Sequence, residues 1–308
     1  MYAMLIGIAA LWGGATGLLL PRAAYRFSVP PGEPWRDACP AGHPLTGPAG
    51  GWLGGARCRA CGEPAAMGVR TGAAVPGTVA PEPAAVAPEP GTEPAAVAPE
   101  PGTEPAAVAP EPRTEPAEGD PVTPPPGTPR YAHRLAPVLT ALVCAALAWG
   151  TGTRPELAVW LVLAPVGMLL ASIDHRVHRL PDALTLPGAG AAAVLLGLAA
   201  LLPEHAGSWL SALLGGLALG GFYFLLFLIN PNGMSFGDVK LALSLGTVLG
   251  WYGWAVVFAG GFAGFLFGAV YGVGLVALRR AGRNASIPFG PFMLAGTLLG
   301  LLFGGLGA

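Results

Sequence analysis

Charge is what this sequence has least of. Only 11% of its 308 residues are Asp, Glu, Lys or Arg, against roughly 25% in soluble domains. From residue 135 to the end, just 12 of 174 side chains are charged, a membrane-protein density. A basic surplus is missing as well. The formal net charge is −1, and no basic stripe runs outside the short loops, which excludes nucleic acid as a partner. No positive charge precedes the first apolar run, which counts against a secretory signal peptide at 2–20, the rival to a first membrane span there. Lysine occurs once, as Lys240, and every other cation is an arginine.

What fills the chain instead is apolar: 53% of residues are hydrophobic and the mean hydropathy is +0.58. A helix needs about 20 apolar residues to cross a bilayer. Spans are expected at about 2–20, 135–150, 155–173, 184–202, 208–229, 239–250, 252–277 and 287–306. That makes eight, or seven if the short 239–250 run stays half-buried. The expected fold is therefore all-α, a polytopic membrane helix bundle. Cytoplasmic loops collect Arg and Lys. With eight spans, Arg22, Arg26, Arg36, Arg57, Arg59, Arg70, Arg130, Arg134, Arg176, Arg179, Lys240, Arg279, Arg280 and Arg283 all fall on one side. The opposite side receives Arg154, Glu156, Glu204 and His205, with Trp251, Tyr252 and Trp254 as an aromatic belt.

Four regions follow: a first transmembrane helix at 1–20, a cytoplasmic Cys/His segment at 21–72, a low-complexity linker at 73–130 and a membrane-embedded domain at 131–308. The linker repeats AAVAPEPGTEP at 84–94 and 95–105, and again at 106–116 with Arg113 in place of Gly. Three prolines per unit rule out helix. An extended, disordered, polyproline-like spacer is the expectation. In the Cys/His segment, CPAGH carries Cys39 and His43, and CRAC carries Cys58 and Cys61. A Cys3His set suits a tetrahedral structural zinc, with a reduced, metal-free loop as the alternative. Cytoplasmic placement disfavours a disulfide, and Arg57 and Arg59 would favour thiolates. Cys144, mid-span, is expected to be a packing residue.

Carboxylates at membrane depth are costly and therefore informative. SIDHRVHRLPDALTLP (172–187) holds Asp174 at the end of the third span and Asp182 before the fourth. NPNGMSFGDVKLAL holds Asp238 and, two residues on, Lys240. Asp182 fits a helix cap. Two aspartates held a few ångströms apart share one proton, so that one activates water and the other protonates a leaving amine. That suffices for peptide hydrolysis without metal or covalent intermediate. Proton or ion translocation by the same carboxylates is the other reading, and plain loop residues a third.

The segments SIDHRVHRLPDALTLP, GMSFGDVKLALSLG and IPFGPFMLAG (287–296), in this order, resemble the bacterial type IV prepilin leader peptidases, the prepilin peptidases among the GxGD aspartic proteases. The resemblance covers about 135–308. It implies an aspartic endopeptidase that removes a short basic leader from prepilins or pseudopilins at the cytoplasmic face of the plasma (inner) membrane, just before their hydrophobic segment. Asp174 and Asp238 would be the catalytic pair, with Asp182, Ser235, Gly237 and Lys240 supporting the motifs. No cofactor is needed for proteolysis. Many members also methylate the new N-terminus with S-adenosylmethionine, and no glycine-rich methyl-donor motif is visible here. The sequence departs from the pattern in three ways, one being that the N-terminal region the resemblance links to methylation is degenerate and expanded by the repeat tract. Ser235 stands where the first glycine of GxGD belongs, which a serine tolerates unless the position needs positive φ. Gly42 stands where a second CxxC pair expects cysteine, with His43 as its substitute. An inactive relative would keep the fold and bind substrate without turnover.

Overall fold

A computed structural model describes residues 2–30, 32–39, 42–55, 58, 61, 130–231, 233–278 and 287–308, with backbone alone for 130–134. The repeat linker, Arg57, Arg59, Arg70 and the basic loop at 279–283 lie outside these residues.

Eight long helices run through the described residues: α1 (Tyr2–Phe27), α2 (Arg130–Thr151), α3 (Glu156–Val177), α4 (Asp182–Ala199), α5 (Trp209–Ile229), α6 (Phe236–Gly250), α7 (Trp254–Ala277) and α8 (Gly290–Gly307). No strand is present among the described residues. Six of the helices, α1, α3, α4, α5, α7 and α8, are long and apolar enough to cross a membrane, so the chain is a polytopic helical membrane protein. The remaining two are α2, with a shorter apolar stretch at Leu135–Thr151, and α6, with 15 residues. The short run expected at 239–250 is thus a complete helix. It is also heavily buried, with Leu241, Ala242, Leu245 and Leu249 in the core. The first helix continues to Phe27, past the expected end at 20, with Pro21 inside it.

Packing explains how so short a helix is held. α5 lies close along α6 because both carry glycines at the crossing. A Cβ at Gly215 would stand 2.7 Å from the Gly246 carbonyl oxygen, too near for any other side chain. α4 and α6 run parallel in matched register: Gly237 abuts Leu180, and the Ser244 hydroxyl donates to the Thr185 carbonyl at 3.3 Å. α4 and α8 each pack against both α3 and α6, which makes them the spacers between the two aspartate-bearing helices.

The two ends of the bundle differ in chemistry. At one end Arg154 donates to the Gly305 carbonyl at 2.9 Å, Tyr2 to that of Trp149, and buried Glu156 accepts from Tyr252 at 3.5 Å. At the other lie Asp174, Asp182, Asp238 and the start of α8. Here the N-terminal segment folds back onto α1. Arg22 donates to the Thr46 carbonyl at 2.7 Å, and Arg26 donates to that of Gly50 at 3.0 Å while lying 4.1 Å above the Trp52 ring. Arg179 bridges this segment to the end of α3 through the Pro30 carbonyl at 3.3 Å. The loops that carry both expected motifs therefore share one end of the molecule.

Candidate active site

Asp174 sits in the last turn of α3 and is only 4% exposed. α3 ends three residues later, at Val177, because His178 turns left-handed, φ 51°, and its N–H closes onto the Asp174 carbonyl at 2.8 Å. The carboxylate is fixed from across the bundle: Oδ2 accepts the Gly290 backbone N–H at 2.9 Å. Gly290 is the first residue of α8, where free N–H groups and the helix dipole favour a negative charge. A Cβ at position 290 would lie 2.8 Å from the same Oδ2, so glycine is what lets the backbone come this near.

Asp238 belongs to the first turn of α6 and is also 4% exposed. It forms a capping box with Ser235. The Asp238 N–H donates to Ser235 Oγ at 3.2 Å, and Asp238 Oδ2 accepts the Ser235 N–H at 3.1 Å. Ser235 has φ −81° and ψ 148°, so this position needs no positive φ. Serine replaces the expected glycine without strain and supplies a preferred N-cap. Gly237 sits at a tight approach: a Cβ there would stand 3.0 Å from the Leu180 Cβ.

The structure brings Asp174 and Asp238 to one cavity of about 260 Å³, lined also by His178, Ser235, Ile287 and Phe289, and near enough for their charges to interact. Asp182 lies apart from this cavity. It is not the N-cap of α4, a position taken by Pro181; its carboxylate instead pairs with Lys240 Nζ at 2.7 Å. His175 and His178 are both exposed, and His178 edges the cavity. Gly290 was the functional contact missed in the sequence. Its segment was conspicuous, but a donor made of backbone leaves no side chain to read.

A second constellation lies in the N-terminal segment. The ligand atoms of Cys39, His43, Cys58 and Cys61 all fall within 4.8 Å of one another. Cys39 Sγ is 3.6 Å from His43 Nδ1 and from Cys61 Sγ, and His43 Nδ1 is 3.3 Å from Cys61 Sγ. A tetrahedral ion with Zn–S of about 2.3 Å and Zn–N of about 2.0 Å separates its ligands by roughly 3.5–3.8 Å, so the cluster fits zinc. The hairpin that presents Cys39 and His43 is closed by Cys39 N–H to His43 carbonyl at 2.9 Å, and by Gly42 N–H to Cys39 carbonyl at 2.8 Å. Neighbouring sulfurs, Cys39 foremost, push the Cys61 thiol up to about 11; a divalent cation among them stabilises the thiolates instead. Cys144 packs in a buried cluster with Ala9 and Leu157.

Fold and site together define a polytopic membrane protein with two buried aspartates, from different helices, on one polar cavity. A model of the type IV leader peptidase family matches residues 161–273, which contain both aspartates, and the chain belongs to that family. Curated relatives named prepilin leader peptidase/N-methyltransferase are similar to it. The protein of Pseudomonas putida is 32% identical over 180 residues, covering 56% of this chain and 59% of its own. That of Aeromonas hydrophila is 35% identical over 181 residues, 56% and 58% respectively. That of Bacillus subtilis is 31% identical over 179 residues, 56% and 67%. The matched part spans about three fifths of the length of the first two. No solved structure matches.

Proposed function

We propose that the chain is an aspartic endopeptidase of the membrane that cleaves prepilins or prepilin-like proteins between a short basic leader and the apolar segment that follows. The observation that carries the reading is the pair Asp174 and Asp238 on a shared cavity at one end of the bundle. Each has one carboxylate oxygen tied to a backbone N–H, which fixes its orientation and leaves the other oxygen for water and substrate. The pair holds one proton between them and acts as a unit. The ionised carboxylate takes a proton from water as that water attacks the scissile carbonyl, and the protonated one hydrogen-bonds the carbonyl oxygen. Collapse of the tetrahedral adduct sends a proton to the leaving amine and restores the pair. The low-dielectric surroundings strengthen each of these interactions.

The arginine distribution supports a cytoplasmic location for this end, where a prepilin leader would be met. Cys39, His43, Cys58 and Cys61 would hold a zinc ion that ties the N-terminal segment together, a structural role with no part in hydrolysis. An N-methyltransferase activity is also carried in the relatives' names; here it would be methylation of the new N-terminus with S-adenosylmethionine, which mass analysis of the product reads directly. Reconstitution in proteoliposomes separates peptidase from transporter. The expected result is leader removal with no proton or ion flux, whereas flux without cleavage would assign the carboxylates to transport.

A further inference from the structure

Lys240 is the only lysine among 16 cationic residues, and it stands two positions after Asp238. Residues two apart on a helix face different sides, so its ammonium does not share the cavity with Asp238. It crosses to α4, where Nζ meets Asp182 Oδ1 at 2.7 Å. On the way it lies 4.8 Å above the ring of Phe236, the first residue of α6. The lysine side chain is 16% exposed and that of Asp182 65%.

With its carboxylate mostly in solvent, the ion pair contributes little stability. Its position is what matters. Asp182 follows Asp174 by eight residues, through the left-handed turn at His178 and the extended Pro181. Lys240 follows Asp238 by two. The ion pair therefore closes a small ring that starts at one aspartate and ends at the other. A compact point charge on a flexible stem suits this place better than the planar fork of arginine, used at every other cationic position.

We propose that Lys240, held by Asp182, is a positioning residue that sets the first turn of α6, and with it the Asp238 carboxylate, against Asp174. The proposal rests on the peptidase reading above. It assigns the pair no contact with substrate and no proton to carry. Misplacement of a reacting group by about 1 Å costs up to roughly 100-fold in rate.

The test measures leader cleavage of a prepilin-like substrate by purified full-length protein in lipid. Wild type runs in every assay, so a wild type that never cleaves contradicts the peptidase reading and not this one. Lys240→Met and Asp182→Asn should each lower kcat about tenfold with KM unchanged, and the double variant should fall no further. The reversed pair D182K/K240E should regain most of the lost rate. Thermal unfolding should move by no more than about 4 °C in any of these variants, which separates positioning from loss of fold. Wild-type kcat in Lys240→Met, a loss confined to KM, additive losses in the double variant, or no recovery in the reversed pair would each overturn the proposal.

Discussion

Replacing Gly290 by alanine is the smallest change that should disable the site without touching either aspartate. The new methyl carbon would stand 2.8 Å from Asp174 Oδ2, well inside van der Waals contact, so carboxylate and helix start must move apart. The 2.9 Å hydrogen bond from the Gly290 N–H is then stretched or lost. A hydrogen bond to a charged group contributes about 1.5–3 kcal/mol, and at about 1.4 kcal/mol per decade its loss corresponds to roughly 10- to 150-fold in kcat. Gly221→Ala is the matched control, because a Cβ there meets nothing within 4 Å and alanine favours helix. The assay is the initial rate of leader removal, normalised to the amount of protein in membranes. G290A cleaving at the wild-type rate would refute the idea that this backbone donor sets the Asp174 carboxylate.

Three further outcomes follow from the same geometry. Ser235→Gly, which restores the family's usual residue, should keep cleavage within about threefold of wild type, since glycine costs an N-cap only a few tenths of a kcal/mol; Ser235→Ala should cost about 1 kcal/mol in thermal unfolding. Gly237→Val should lower kcat at least tenfold as it drives α6 away from Leu180, an overpacking cost of about 1–3 kcal/mol. Purified protein should contain one zinc per chain by elemental analysis, and Cys58→Ser should lose most of it; no bound zinc in wild type would dismiss the metal site.

Much of this architecture was legible in the sequence because membrane spans and loop arginines are one-dimensional signals. Each of the eight expected runs corresponds to a long helix. The regions resist only where packing overrides hydropathy. α6 is short because it lies in the core, and α1 continues to Phe27 because Arg22 and Arg26 turn to the folded N-terminal segment. The site was half legible. Asp174 and Asp238 stood out as charges in apolar surroundings, and the structure brings them to one cavity though they lie 64 residues apart. Asp182 read as a helix cap, yet its partner is Lys240, a contact between helices that no local pattern reveals. Ser235 read as a departure from the motif; in place it caps α6 and meets Asp238 in both directions. The Gly290 donor could only be found once α8 was laid against the end of α3.

The most direct measurement of the central claim is mass spectrometry of a prepilin-like substrate incubated with wild-type protein, Asp174→Asn or Asp238→Asn in the same lipid. Wild type should give a single new N-terminus just before the apolar segment, and each asparagine variant should slow its appearance by at least about 10³-fold while accumulating normally in membranes. Processing by either variant at the wild-type rate would contradict the account.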